Sequence, residues 1–335
     1  MKKKTVSTII AAAAAASMVM SMGAFAADTE AGTESSTEAD EENYMTGDAS
    51  KDDPLNADGI GEKEILVLSF GTSYNQSRYE TIGGIERAIA AAYPDWSVRR
   101  GFTANTVIDH VARRDGEQID DINEALQRAV DNGVKELIVQ PTHLMEGKEY
   151  DEIIGDLADY SDQFESIAVG DPLFRDGSDL ADFDRVIDAL ADLGQNYDDG
   201  QTAIVFMGHG TDAESNADYQ KLEDELHATG HDNYYVTTVE GAPQAADTIA
   251  EIEGKGYTKV VLRPLMVVAG DHAHNDMASL EPDSIRSQFQ AAGYEVDCIL
   301  EGLGQVPAIQ QIYVDHVHEA IDQIEGGAEA STEAQ

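Results

Sequence analysis

The sequence predicts an α/β protein built as two similar halves, each a parallel sheet covered by helices, facing one another across a central cleft. Three observations lead there. Short uninterrupted runs of Val, Ile and Leu alternate with amphipathic stretches, the pattern of parallel strands buried on both faces by crossover helices. Most runs end in Gly, Pro, Ser or His, residues that let a chain turn or carry a ligand site. The second half also repeats the punctuation of the first at matching intervals.

Taken in order, Ile65-Leu66-Val67-Leu68 is the first strand and ends at Ser69-Phe70-Gly71-Thr72. An amphipathic stretch from Tyr79 to Ala92 follows and stops before Pro94. Ser97-Val98-Arg99 is a weaker strand. Leu137-Ile138-Val139 ends at Pro141, and Ile167-Ala168-Val169 ends at Gly170. Ala203-Ile204-Val205-Phe206 opens the second half and runs into Gly208-His209-Gly210. Tyr235 to Val239 runs into Glu240, and Val260-Val261-Leu262 ends near Pro264. Glu295 to Ile299 is the last strand, and a helix from about Pro307 to Ile324 closes the chain.

Two alignments carry the internal repeat. Leu66 to Thr72 matches Val205 to Thr211, so Phe70 falls opposite His209. Pro141, Gly147 and Glu149 match Pro264, Gly270 and His272 at identical spacing. The reading is a duplicated Rossmann-like unit, with ligands expected at the carboxyl ends of the strands. The expected limits are 62–195 for the first domain and 196–324 for the second.

Composition sets the outer segments apart. Lys2, Lys3 and Lys4 precede an apolar run from Thr8 to Met22, and Ala24-Phe25-Ala26 follows. That is the pattern of a signal peptide over residues 1–26, cleaved after Ala26. The expectation is an exported, extracytoplasmic protein, secreted or periplasmic, with no membrane span in the mature chain. Residues 27–61 are rich in Asp, Glu, Ser, Thr and Gly and read as a disordered acidic linker. Residues 325–335 read as a disordered tail.

The formal net charge of -44 makes nucleic acid an unfavourable partner. The single cysteine, Cys298, excludes an intramolecular disulfide and any metal site of paired cysteines. No phosphate loop, dinucleotide fingerprint, nucleophile elbow or H-E-x-x-H is present, so no nucleotide cofactor is expected.

The polar residues just past strand ends are His143, Glu149, His209, Glu240 and His272, with Asp271 and His274 adjacent. Imidazole with carboxylate suits a divalent first-row metal such as cobalt, nickel, iron or zinc. Each has a plainer reading. His209 could fill a turn, Asp271 or Asn275 could cap a helix, Glu149 could serve a first turn, and Glu240 could be an exposed turn carboxylate. His110, His227, His231, His316 and His318 read as surface or packing residues.

Three stretches together resemble the anaerobic-type sirohydrochlorin cobalt chelatases, a class II chelatase family. They are Ser69 to Tyr74, Val205 to Gly210, and Pro264 to Ala278, which contains Gly270-Asp271-His272-Ala273 and Asn275-Asp276-Met277-Ala278. Phe102-Thr103, Arg114-Asp115-Gly116, Gln140 to His143 and Gly302-Leu303-Gly304 add to the likeness, which covers about residues 64–324. The resemblance implies a class II chelatase fold and a lyase that inserts a divalent metal into a tetrapyrrole without ATP. It implies His209 and His272 as metal ligands and proton acceptors, Glu240 as a further metal ligand, and Glu149 as a catalytic carboxylate that handles metal.

The implied substrates are Co2+, with Fe2+ or Ni2+ as alternatives, and sirohydrochlorin, as in cobalamin biosynthesis. Rival readings are an exported metal or haem carrier on this scaffold and ferrochelatase-like iron insertion. Arg78, Arg99, Arg100 and Arg263 are candidates, from position alone, for offsetting the substrate's carboxylates. The oligomeric state is left open, a homo-oligomer included.

Overall fold

A computed structural model describes residues 46–174 and 181–333. The expected signal peptide and linker residues 27–45 lie outside that range.

Among the described residues eight strands form two four-stranded sheets. The first contains β1 (Lys63–Ser69), β2 (Ser97–Phe102), β3 (Glu136–Pro141) and β4 (Ser166–Val169), in the order β2-β1-β3-β4. The second contains β5 (Thr202–Gly208), β6 (Tyr234–Thr238), β7 (Lys259–Pro264) and β8 (Glu295–Cys298), in the order β6-β5-β7-β8. Every pairing is parallel. The repeat read from sequence is also the repeat of the register. Leu68 pairs with Pro141 as Met207 pairs with Pro264, and Ser69 pairs with Phe102 as Gly208 pairs with Thr238.

Ile65 to Leu68 and Ala203 to Met207 are wholly buried, which is why these strands read as continuous apolar runs. Each such side chain contributes about 1.5–3 kcal/mol on leaving water.

Among the described residues ten α-helices pack around the strands. In the first half they are α1 (Asn75–Glu80), α2 (Ile82–Ala92), α3 (Asn105–Asp115), α4 (Ile122–Asp131) and α5 (Lys148–Tyr160). After them come α6 (Ala181–Gly194), α7 (Ala217–Ala228), α8 (Ala245–Ile252), α9 (Ile285–Ala291) and α10 (Pro307–Glu333). The helix expected from Tyr79 to Ala92 is broken at Thr81, whose hydroxyl donates to the Ser77 carbonyl at 2.6 Å. A side chain at Gly84 would press on the Gly304 carbonyl, so this glycine of α2 lets the turn at Leu303–Gln305 approach.

The halves interlock rather than merely abut. The closing helix α10 belongs to the second half in sequence but packs on the first sheet. Tyr313 donates to the Thr142 carbonyl at 2.9 Å, Tyr93 donates to the Val314 carbonyl at 2.9 Å, and His316 bonds to the Asp171 carbonyl at 3.0 Å. In return Tyr234 on β6 donates to the Ala191 carbonyl of α6 at 3.1 Å. The core is accordingly continuous across the two sheets.

Two outer boundaries differ from expectation. Residues 46–61, expected as linker, belong to the described fold. The Asp52 side chain is 3% exposed and accepts from Arg78 Nε and Arg100 Nη1, each at 2.6 Å. That acidic residue looked like linker because its partners are distant in sequence. At the other end the backbone of α10 stays helical through Glu333, past the expected limit at 324.

Candidate functional site

The carboxyl ends of β1, β3, β5 and β7 converge on one cavity of about 290 Å3 between the halves. Phe70, Glu149, His209 and His272 all line it, so the four positions paired by the internal repeat face each other across the cleft.

His209 follows β5 in a turn that only glycine permits. Gly210 has φ +87°, and a side chain there would collide with the backbone nitrogen of Gly241. The Gly210 N–H is held by the Tyr219 hydroxyl at 3.2 Å. The ring is fixed by its own turn, because His209 Nδ1 donates to the Gly210 carbonyl at 2.7 Å. A carbonyl only accepts, so this bond puts the proton on Nδ1 and leaves Nε2 with a lone pair.

His272 lies just past β7, immediately before a π-helical turn at Ala273–Met277. Such turns often mark sites where a side chain must be re-aimed. Its Nδ1 donates to Asp276 Oδ2 at 2.7 Å, which again leaves Nε2 as the unprotonated nitrogen. The two rings meet with centroids 4.7 Å apart and an 82° interplanar angle. Two imidazoles oriented through Nδ1 with open Nε2 atoms are suited to a divalent first-row cation and to accepting protons.

Glu149 stands in the first turn of α5, where the helix dipole favours a carboxylate, and is exposed on the opposite wall. The Glu240 side chain is exposed and is not among the residues lining the cavity. Its main chain is tied to the site, since its N–H donates to the His209 carbonyl at 2.8 Å. The structure therefore brings together His209, His272 and Glu149, and leaves the Glu240 carboxylate outside their wall. His274 also points elsewhere. It bonds to the Gly270 carbonyl at 2.9 Å and stacks on Tyr74 at 4.3 Å, bridging the two halves.

The arginine expectations are corrected. Arg78 and Arg100 are buried in ion pairs with Asp52, Glu86 and Glu117, and Arg263 pairs with Glu301 at 2.8 Å. Neither these nor Arg99 lines the cavity. Arg78 sits in α1 and Arg99 and Arg100 in the middle of β2, and the Asp52 that claims Arg78 and Arg100 comes from a distant segment. Asp276 was missed as the residue that orients His272; its i, i+4 spacing on one helical face was the available signal.

Comparison with known proteins gives the family. The cobalt chelatase (CbiK) family matches residues 63–322. A sirohydrochlorin cobaltochelatase of Salmonella typhimurium is 36% identical over 262 residues, covering 78% of this chain and 97% of that protein. The sirohydrochlorin cobaltochelatase CbiKC of Nitratidesulfovibrio vulgaris is 27% identical over 266 residues, covering 79% and 92%. Among solved structures, SirB from Bacillus subtilis with Fe3+ shares the fold, with a TM-score of 0.55 at 14% identity over 79% of this chain and 98% of that one. This chain belongs to the cobalt chelatase family.

Proposed function

We propose that the chain is a sirohydrochlorin cobaltochelatase that inserts Co2+ into its tetrapyrrole without a nucleotide. The observation that carries the reading is the His209–His272 pair, with both Nε2 atoms open in a cavity between the halves. The family match and the 36% identical relative support it.

In this reaction one divalent cation replaces two pyrrole protons. His209 and His272 hold the cation substrate through Nε2, and as the macrocycle nitrogens take it over, the freed imidazoles accept the pyrrole protons. The cavity wall carries Leu144, Leu265 and Val268 beside the histidines, an apolar setting that suits the flat face of a macrocycle. Glu149 faces the histidines and offers a carboxylate for the cation on entry or for the departing protons. Glu240 supports the site through its N–H, which holds the His209 turn, while its carboxylate lies outside the cavity wall.

We further propose that the chain is exported and cleaved after Ala26. The Lys2–Lys4 cluster, the apolar run and the Ala24-Phe25-Ala26 triplet support that step. The amino-terminal sequence of the mature protein recovered from the producing cell tests it.

The activity is tested by following the absorbance of sirohydrochlorin with Co2+, Fe2+ or Ni2+ and limiting protein against a protein-free control. Repeated turnover with Co2+ is expected. Stoichiometric binding without turnover would overturn the enzymatic reading.

A further inference from the structure

His143 is the one histidine of the cavity wall whose ring has no orienting partner among the described residues. Neither Nδ1 nor Nε2 has a hydrogen-bond partner, and both are shut off from water although the residue as a whole is partly exposed. Its backbone is locked, because its carbonyl accepts from the Leu173 N–H at 2.9 Å and from the Tyr313 hydroxyl at 3.4 Å. Burial lowers its pKa to about 4, so the ring is neutral with one N–H and one lone pair. Buried polar groups are nearly always bonded, so two orphaned nitrogens in a binding cavity call for a ligand.

The wiring of the other two rings says what kind. His209 and His272 each give the Nδ1 proton to a protein acceptor, which leaves a lone pair for metal. His143 has no such acceptor, so its N–H remains undelivered. A cation would engage only the lone pair and leave that donor buried and unbonded. The missing group is an acceptor. Among the described residues lining the cavity there is no lysine or arginine, and the basic side chains near strand ends are committed to ion pairs elsewhere or lie outside the wall. A tetrapyrrole with acidic side chains thus finds few donors here besides hydroxyls and backbone.

The internal repeat points the same way. His143 occupies the place of Met266 in the second half, two residues past the matching prolines, and both line the cavity. An apolar side chain therefore suits that position sterically.

We propose that His143 is a positioning residue that donates a hydrogen bond to a carboxylate of the tetrapyrrole, docking the macrocycle on the first half opposite the metal-binding pair. The ring turns about its Cβ–Cγ bond to do so, a torsion with a broad two-fold preference. The inference rests on the chelatase reading above.

The test uses the full chain and two readouts. Fluorescence titration with metal-free sirohydrochlorin gives the macrocycle Kd, and steady-state metallation gives KM and kcat. His143→Met and His143→Leu are expected to raise Kd and KM about tenfold, the loss of one hydrogen bond to a charged group. The Kd for Co2+ and kcat should change by less than about twofold on the same scale. His143→Gln keeps an N–H donor and should recover most of the affinity. A wild-type protein that does not turn over would overturn the chelatase reading and not this one. Unchanged macrocycle affinity in both apolar variants, or an equal loss in His143→Gln, would overturn the docking role. So would a loss confined to Co2+ binding.

Discussion

His209 and His272 meet edge to face, 4.7 Å between ring centroids, with the Nδ1 of each already given to an acceptor of its own half. The pair is thus set by two independent local devices, a glycine-flanked turn and a π-helical turn, at the ends of β5 and β7, which are neighbours in the second sheet. Because the bond His209 makes is to backbone, it cannot be removed by mutation of a partner, so the ring itself must be tested. His209→Ala should lower kcat for cobalt insertion by at least about 100-fold, the scale of a lost acid–base or ligand group. The melting temperature should stay within a few degrees, since the ring is only half-buried and lines the cavity. Full activity in this variant would sink the assignment.

The bond from His272 can be tested through its partner. Asp276 holds the Nδ1 proton at 2.7 Å. Asp276→Ala frees the ring to rotate and to adopt the other tautomer, so Co2+ affinity should fall about 10- to 100-fold. Isothermal titration with Co2+ in the absence of tetrapyrrole reads this directly. An unchanged affinity would mean that His272 is held by packing alone.

Asp52 anchors the acidic segment that precedes the first strand. It lies between Arg78 and Arg100, both buried, and its own pKa is held below the usual carboxylate range by these guanidiniums despite burial. Asp52→Ala leaves two buried cations short of charge, with only Glu86 and Glu117 remaining. Breaking one partner out of a buried ion network costs about 3–5 kcal/mol. Denaturant unfolding of the variant measures it, and a loss below about 1 kcal/mol would show that the segment peels away without consequence.

Much of this was legible in the sequence, and the physical reasons differ by feature. The strands buried on both faces, β1 and β5 above all, announce themselves as continuous apolar runs, whereas β2 and β8 are partly exposed and show only as weaker, interrupted stretches. The match of Pro141, Gly147 and Glu149 with Pro264, Gly270 and His272 survives as a match of strand register, because a duplicated unit preserves where each strand ends. Three things were not legible. The Asp52 clamp depends on arginines 26 and 48 residues away. The crossing of α10 onto the first sheet depends on which apolar face is left uncovered there. The side-chain direction of Glu240 depends on how its turn leaves β6. Composition and spacing carry none of these.

Glu64 should make stability fall with rising pH. It is 1% exposed near the start of β1, and its Oε2 has no hydrogen-bond partner. Burial pushes its pKa up to about 7, with Asp120 adding to the shift and Arg99 opposing it. The folded state therefore holds this proton more tightly than the unfolded chain, whose carboxyl titrates near pH 4.3. Below that pH both states are protonated and Glu64 brings no penalty. Between about pH 4.3 and 7 the unfolded chain ionises first, so stability falls, by up to about 4 kcal/mol for a shift of this size. Glu64→Gln removes the titration and keeps the shape. The variant should match wild type near pH 4 and exceed it at pH 8. Because the overall negative charge acts on both proteins alike, the difference between their denaturant midpoints isolates Glu64. A difference that does not grow with pH would place its proton elsewhere.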